Sequence, residues 1–128
     1  EYIGEKISHE ESERRSELQE KKAKKTGEGS VYIFNLNSKW DLDGNIPENL
    51  AKYINHSCSP NAEAIMTSDY RIYIVAKKKI KKGEEITFDY GFSIDNYQKH
   101  PCHCGSKNCV GYIVSARDKR KLRKYKSK

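Results

Sequence analysis

The sequence predicts a mainly β fold with short helices, assembled from several small sheets. Three observations point there. Apolar and β-prone residues recur in short runs from Val31 onward; Gly- and Asn-rich turns separate those runs; and the one long helical pattern lacks an apolar face. A chain of 128 residues is enough for one compact domain with a modest core. Charged residues make up 34% of it, yet the apolar runs are more than a disordered chain would carry. The expectation is a folded domain with polar extensions.

The first element is a helix over residues 8–25. Ser8 followed by Glu11 makes a capping box, acidic residues fill the start, and Lys21, Lys22, Lys24 and Lys25 suit the negative end of the helix dipole. Gly27 is the expected stop. Only Leu18 and Ala23 are apolar, which predicts a solvated surface helix. Residues 31–37 read as a strand, and residues 40–45 as a turn centred on Asp43 and Gly44. Residues 47–54 hold one or two helical turns. A second strand covers residues 71–76, Ile80 leads into a turn at Lys81, Lys82 and Gly83, and residues 85–88 make a third short strand. There is no internal repeat.

The formal charge of +7 is unevenly placed. Residues 117–128 hold eight Lys or Arg against one Asp, so the rest of the chain is formally neutral. A neutral body argues against a nucleic-acid enzyme with a charged groove. It also argues against a pure zinc-dependent nucleic-acid binder, which needs basic residues spread over a face. The basic tail is expected to touch phosphate or an acidic surface, or else to be a solvated end. No apolar stretch approaches the roughly 18 residues that span a bilayer, and no basic-then-apolar leader is visible, so the chain is expected to be soluble and intracellular.

All four cysteines fall in two places, Cys58 in the middle and Cys102, Cys104 and Cys109 near the end. Four thiolates satisfy a tetrahedral zinc, and the Cys-x-Cys-x-x-x-x-Cys spacing with Gly105 in the turn lets a short loop wrap one ion. The alternatives are two disulfides or free core cysteines. An intracellular setting disfavours disulfides, and neighbours as close as Cys102 and Cys104 pair poorly. His103 is a further candidate ligand that four cysteines make unnecessary. Because Cys58 is remote, metal binding would close a long loop and couple to local folding.

Asn55-His56-Ser57-Cys58-Ser59-Pro60-Asn61 packs polar, turn-forming residues after Tyr53-Ile54, and a second unusual stretch runs from Glu85 through Tyr90 to Gly91. These two motifs, followed in order by Cys-x-Cys-Gly-x-x-x-Cys-x-Gly-Tyr, resemble the SET domain and its post-SET zinc segment. The opening Glu1-Tyr-Ile-Gly-Glu5 and Tyr32-Ile-Phe34 look like family strands too. The resemblance implies a SET domain over residues 1–95, with small curved sheets around a knot-like active site, a post-SET zinc loop over 96–116 and a basic tail over 117–128. The strand pair with a Gly-x-Gly turn that normally opens the family is not in this sequence, and the expectation is a truncated chain.

The same resemblance implies a protein-lysine N-methyltransferase that takes S-adenosylmethionine as methyl donor and binds zinc through Cys58, Cys102, Cys104 and Cys109. Asn55 and His56 would hold the amino-acid part and adenine of the cofactor, Tyr32 would lie against it, and the backbone at His103 would cap the adenine. Tyr90 would be the catalytic residue. Tyr32, Phe88 and Phe92 would line the lysine channel, where an apolar surround lowers an amine pKa from about 10.4. Phenylalanine at position 88, where a tyrosine restricts the product to monomethyl-lysine, implies di- or trimethylation. Singly, each residue reads equally well as ordinary core or turn. The expected substrate is a histone-like lysine peptide, received by acidic residues such as Asp41, Asp43, Asp69 and Asp95, with nucleic acid held by the tail. The alternative is a non-catalytic, zinc-stapled module that binds peptide or nucleic acid. The expected compartment is the nucleus and chromosome in a eukaryote, the cytoplasm otherwise.

Overall fold

A computed structural model describes residues 1–26, 32–95 and 97–126. They form two compact units, Glu1–Tyr53 with Met66–Ile72, and Ile54–Ile65 with Tyr73–Lys128.

In the first unit, strand β1 (Glu5–Ser8) runs directly into helix α1 (His9–Thr26). The expected cap is present, with the Ser8 hydroxyl accepting the Glu11 N–H at 3.2 Å. The predicted Gly27 stop, and Val31 at the start of the next predicted strand, lie outside the described residues. Strand β2 covers Ile33–Asn35 and β3 covers Trp40–Asp43. These make an antiparallel sheet in the order β1-β3-β2, with Leu42 opposite both Lys6 and Phe34.

Residues 40–45 are therefore not the predicted turn: most of them form the central strand of the sheet. The turn sits upstream, where Leu36 and Asn37 donate to the Trp40 carbonyl and Asn37 Oδ1 accepts the Lys39 and Trp40 amides. Such an Asx turn reverses the chain by side-chain chemistry that needs no glycine. The strand was hidden because its inward residues are carboxylates. Asp41 and Asp43 lie on one face of β3, as alternation requires, and both are buried.

Each buried carboxylate is matched by polar groups. Asp41 accepts from Ser12 Oγ, from Asn35 Nδ2 at 3.0 Å and from His9 Nδ1 at 3.0 Å. Arg15 bonds Asp43 at 2.7 Å and also reaches Glu5 and Glu11. Helix α1 thus docks through a polar face, consistent with its lack of apolar residues and with Leu18 remaining 52% exposed. Asp41 and Asp43 are committed to this helix rather than offered to a substrate peptide. Asp69 is likewise held by Thr67 and Arg71. The apolar core of the unit is small. Tyr2, Leu36 and Ile72 are buried and packed by Tyr32, Phe34, Leu42 and Ala51. Gly44 has no room for a side chain, since a Cβ there would lie 2.3 Å from the Tyr2 ring. Buried Asn49 ties the connecting loop down, accepting from Ile3 N and donating to the Gly44 carbonyl, ahead of a 3-10 turn at Leu50–Tyr53 within the predicted helical stretch.

The second unit is built on a parallel pair, β4 (Asn55–His56) with β7 (Thr87–Phe88). The predicted third strand is thus shortened to its last two residues. A hairpin of β5 (Ala62–Met66) and β6 (Ile72–Ala76) contains the predicted second strand and one that sequence reading missed; its tip, Met66–Ile72, counts with the first unit. In the stretch read as a basic tail, the described residues, up to Lys126, are structured. A 3-10 turn at Ala116–Asp118 leads into helix α2 (Lys119–Lys126), and Leu122 is fully buried, as is Val114 upstream. One leucine in a basic segment is a weak sequence signal, yet full burial of such a side chain is worth roughly 2 kcal/mol.

Hydrogen bonding to Asp41 raises the His9 pKa above 6.5. At Asp41 burial works against ionisation, but bonds from Ser12, His9 and Asn35 outweigh it and lower the pKa. The His9 contribution is full below its unfolded pKa and is lost as pH rises through the raised folded value, while Asp41 stays ionised throughout. In urea unfolding, Asp41→Ala is expected to lose about 1–3 kcal/mol because three donors lose their acceptor. His9→Ala is expected to be more destabilising at about pH 5.5 than at about pH 8.5; an equal effect at both would contradict the pairing.

Candidate active site and metal centre

The thiols of Cys58, Cys102, Cys104 and Cys109 converge, with all four Sγ atoms within 4.8 Å of one another. A tetrahedral ion with bonds of about 2.3 Å requires sulfurs roughly 3.8 Å apart, and Cys58 Sγ to Cys102 Sγ is 4.0 Å. The donor set and spacing fit one metal ion. Gly105 makes the turn after Cys104 at φ +74°, a conformation glycine adopts without strain. The backbone supports the sulfurs, with the Gly111 N–H directed at Cys109 Sγ at 3.4 Å and the Cys102 N–H bonded to the Gly111 carbonyl at 2.9 Å. Burial pushes the Cys102 thiol up to about 12. Burial also opposes ionisation of Cys104, but bonds from Ser106 and the backbone hold it down to about 5. A cluster that suppresses some of its charges in this way is one that a dication would relieve.

Cys58 follows β4 by two residues, so the metal-binding segment and the predicted catalytic segment are one stretch of chain. His56 is 7% exposed. Its Nδ1 accepts the Tyr90 backbone N–H at 3.1 Å, and its Nε2 lies 3.8 Å from Cys58 Sγ. Burial lowers its pKa, against the pull of Asp89, whose carboxylate is 3.8 Å from Nδ1. The neutral ring is therefore engaged at both nitrogens. Asn55, by contrast, is exposed, and its Nδ2 donates to Glu85 Oε2 at 3.2 Å. Asn55 Oδ1 remains an acceptor.

Tyr90 is half-buried, and its hydroxyl donates to the Ile54 carbonyl at 2.5 Å. The single O–H is used there, which fixes the orientation of the phenol oxygen. Three of the predicted aromatics form a continuous row, with Phe88 to Tyr90 at 4.9 Å and Tyr90 to Phe92 at 5.6 Å between centroids. His100, which sequence reading did not single out, extends the row at 4.8 Å from Phe92. Exposed His103 lies between two cluster cysteines. Tyr32 belongs to the first unit, where its carbonyl accepts from Tyr2 Oη and Gly44 N, both at 2.8 Å. It lines a groove of about 280 Å³ with Arg15, Leu18 and Asn45.

Two further residues hold the site together. Asn61 is buried and uses both ends of its amide, donating to the Glu85 carbonyl and accepting the Thr87 N–H, each at 2.9 Å. Asp89 accepts Gly91 N with one oxygen and Ala116 N with the other, both at 2.9 Å. Asn61 closes the Asn-His-Ser-Cys-x-Pro-Asn motif and was visible there. Nothing in the sequence connects Asp89 to Ala116.

With Asn55-His56 paired in parallel to Thr87-Phe88, a cluster of four cysteines and a match to the SET domain over residues 1–91, the chain belongs to the SET domain family. Among similar proteins, Histone-lysine N-methyltransferase 2D of Homo sapiens is 40% identical over 113 residues, which are 85% of this chain and 2% of the relative. Histone-lysine N-methyltransferase trr of Drosophila melanogaster is 43% identical over 113 residues, again 85% of this chain and 4% of the relative. A fungal relative, Histone-lysine N-methyltransferase, H3 lysine-4 specific, of Emericella nidulans, is 37% identical over 118 residues, 88% of this chain and 9% of its own length. The chain thus spans only a small part of each relative it matches.

One equivalent of Co²⁺ is expected to give thiolate-to-metal charge-transfer absorption, and Cys104→Ser to weaken binding by about tenfold or more. Absorption unchanged by that substitution would mean that Cys104 is not a ligand.

Proposed function

We propose that this chain is the catalytic part of a protein-lysine N-methyltransferase that acts on histones, uses S-adenosylmethionine and holds zinc in its cysteine cluster. The observation that carries the reading is the fixed Tyr90 hydroxyl in a row of aromatic rings, two residues beyond the strand that pairs with Asn55 and His56. The names of the relatives support a histone-lysine substrate, and one supports lysine 4 of H3. Action on histones goes with the nucleus and chromosome in a eukaryote, the cytoplasm being the compartment otherwise.

When bound, the cofactor supplies a methyl group on a cationic sulfonium. Asn55 fits its amino-acid end, because one amide hydrogen is directed at Glu85, which orients the group, and the amide oxygen can accept from an ammonium. The His56 ring is committed, so His56 would contribute through the backbone of β4 on the edge away from β7. Tyr32 and the backbone at His103 are the remaining proposed cofactor contacts. The Tyr90 oxygen, its proton directed at Ile54, presents electron density to positive charge near the reacting atoms and is oriented before substrate arrives. Phe88 and Phe92 exclude water and disfavour a charged ammonium, which promotes the neutral amine that transfer needs. No general base is required of the chain. Phe88 carries no hydroxyl to hold a water beside the amine, which supports di- or trimethylation.

The basic segment supplies the nucleic-acid contact. Arg117, Arg120, Lys121 and Lys124 are exposed at i, i+3, i+4 and i+7, one stripe of a helix whose other side carries buried Leu122 and Lys119, which donates to the Cys58 carbonyl at 3.2 Å. The stripe carries four exposed cations, with Lys121 also 3.5 Å from Asp118, and faces them toward a phosphate backbone in this reading.

Labelled methyl transfer to core histones is expected to fall by about 100-fold or more in Tyr90→Phe, and Phe88→Tyr is expected to shift the product, read by mass spectrometry, toward monomethyl-lysine. Transfer unaffected by Tyr90→Phe would remove that residue from the chemistry. Binding to duplex DNA is expected to weaken with salt at a log–log slope of about −3.6 for four phosphates, and to lose about 0.9 of that slope in Arg120→Ala. A slope unaffected by charge removal on α2 would place the contact elsewhere.

A further inference from the structure

We propose that His56 is a positioning residue that links the metal centre to the catalytic strand, its Nε2–H held on the Cys58 sulfur and its Nδ1 holding the backbone of Tyr90. The inference rests on the reading of Cys58 as a metal ligand and Tyr90 as the catalytic tyrosine. It goes beyond that reading by giving a third residue a role it does not contain.

The tautomer follows from connectivity. A backbone N–H can only donate, so the nitrogen that receives the Tyr90 amide at 3.1 Å must be unprotonated. In a neutral imidazole the other nitrogen then carries the hydrogen, and Nε2 faces Cys58 Sγ at 3.8 Å. A ring donor directed at a ligand sulfur stabilises thiolate charge and fixes the ligand's orientation, the part that groups just outside a metal's ligands usually play. Strand pairing sets the other arm. His56 lies opposite Phe88 in the parallel ladder, and the Tyr90 amide is two residues further along the same strand direction, beyond the last rung. The imidazole thus supplies the bond that continued pairing would otherwise give, and it fixes the residue whose hydroxyl meets the Ile54 carbonyl. The ring also packs edge-on against Tyr90 at 5.4 Å, so its plane is set by both ends. Displacement of the Cys58 sulfur therefore reaches Tyr90 through one rigid five-membered ring.

The two arms can be cut separately. In His56→Asn the side-chain oxygen stands in for Nδ1, and nothing reaches the sulfur. In His56→Gln the amide nitrogen stands in for Nε2, and the Tyr90 amide loses its acceptor. For His56→Asn the zinc dissociation constant is expected to rise by about 10–100-fold, while Tyr90 amide exchange stays within about threefold of the parent. For His56→Gln zinc affinity is expected to stay within about threefold, while the Tyr90 amide exchanges at least about tenfold faster and the turnover number falls. Long-range ¹H–¹⁵N spectra of the zinc-loaded chain are expected to show Nε2–H with Nδ1 unprotonated. An Nδ1–H tautomer, or equal losses of metal affinity and amide protection in both variants, would overturn the proposal. Failure of the underlying reading looks different: the parent chain would take up no stoichiometric zinc, or Tyr90→Phe would turn over like the parent, with the tautomer unaffected.

Discussion

The second unit depends on a pairing of only two rungs, Asn55 with Thr87 and His56 with Phe88. Parallel pairs are slightly weaker per residue than antiparallel ones, and closing a loop of about 30 residues costs roughly 3 kcal/mol beyond a constant. The ladder cannot hold itself. Four side-chain bonds clamp it: both ends of the Asn61 amide, the His56 ring and the Tyr90 hydroxyl. At about 1 kcal/mol each they offset the closure. Three of these four bonds involve the backbone or side chain of residues placed in the site or immediately beside it. The same contacts that keep the strands together orient the chemistry, so stability and geometry are hard to separate here.

The first unit uses the opposite kind of interior. Its central strand turns two aspartates inward, and helix α1 supplies Ser12, His9 and Arg15 to meet them. A polar interface of this sort contributes less stability than an apolar one of equal size, because each group gives up water before it gains a partner. What it contributes is register. Sliding α1 by one residue would strand both carboxylates, whereas an apolar face would tolerate the slip.

These two features also explain what was legible in the sequence. The helix start was plain because Ser8 and Glu11 carry their own signal, and the metal centre was plain because cysteine spacing is chemistry before it is structure. Strand β3 was not, since a rule that places apolar residues inward reads Trp40-Asp41-Leu42-Asp43 as solvated; the compensating donors lie on α1 and β2, up to 32 residues away. Strand β5 was missed for a related reason: Glu63 through Met66 are exposed, so its sequence lacks the alternation that marks a half-buried strand. The basic end looked like a tail because Leu122, its single buried residue among the described ones, is outnumbered by charge. At the site, the residue types were readable, but the direction of each bond was not. The sequence motif assigned His56 to the cofactor without saying which of its atoms serve, and the fold gives both ring nitrogens to the protein.

The separation of Cys58 from its three partners also sets the order in which the molecule can be completed as it leaves the ribosome. Cys58 is synthesised 44 residues ahead of Cys102, a delay of roughly 2–9 s at about 5–20 residues per second. During that interval the first thiol has no companion. Capture of a metal by all four thiols would therefore be a late event in the birth of this chain, and the segment that carries Asn55 and His56 emerges well before the cysteines that finish its surroundings.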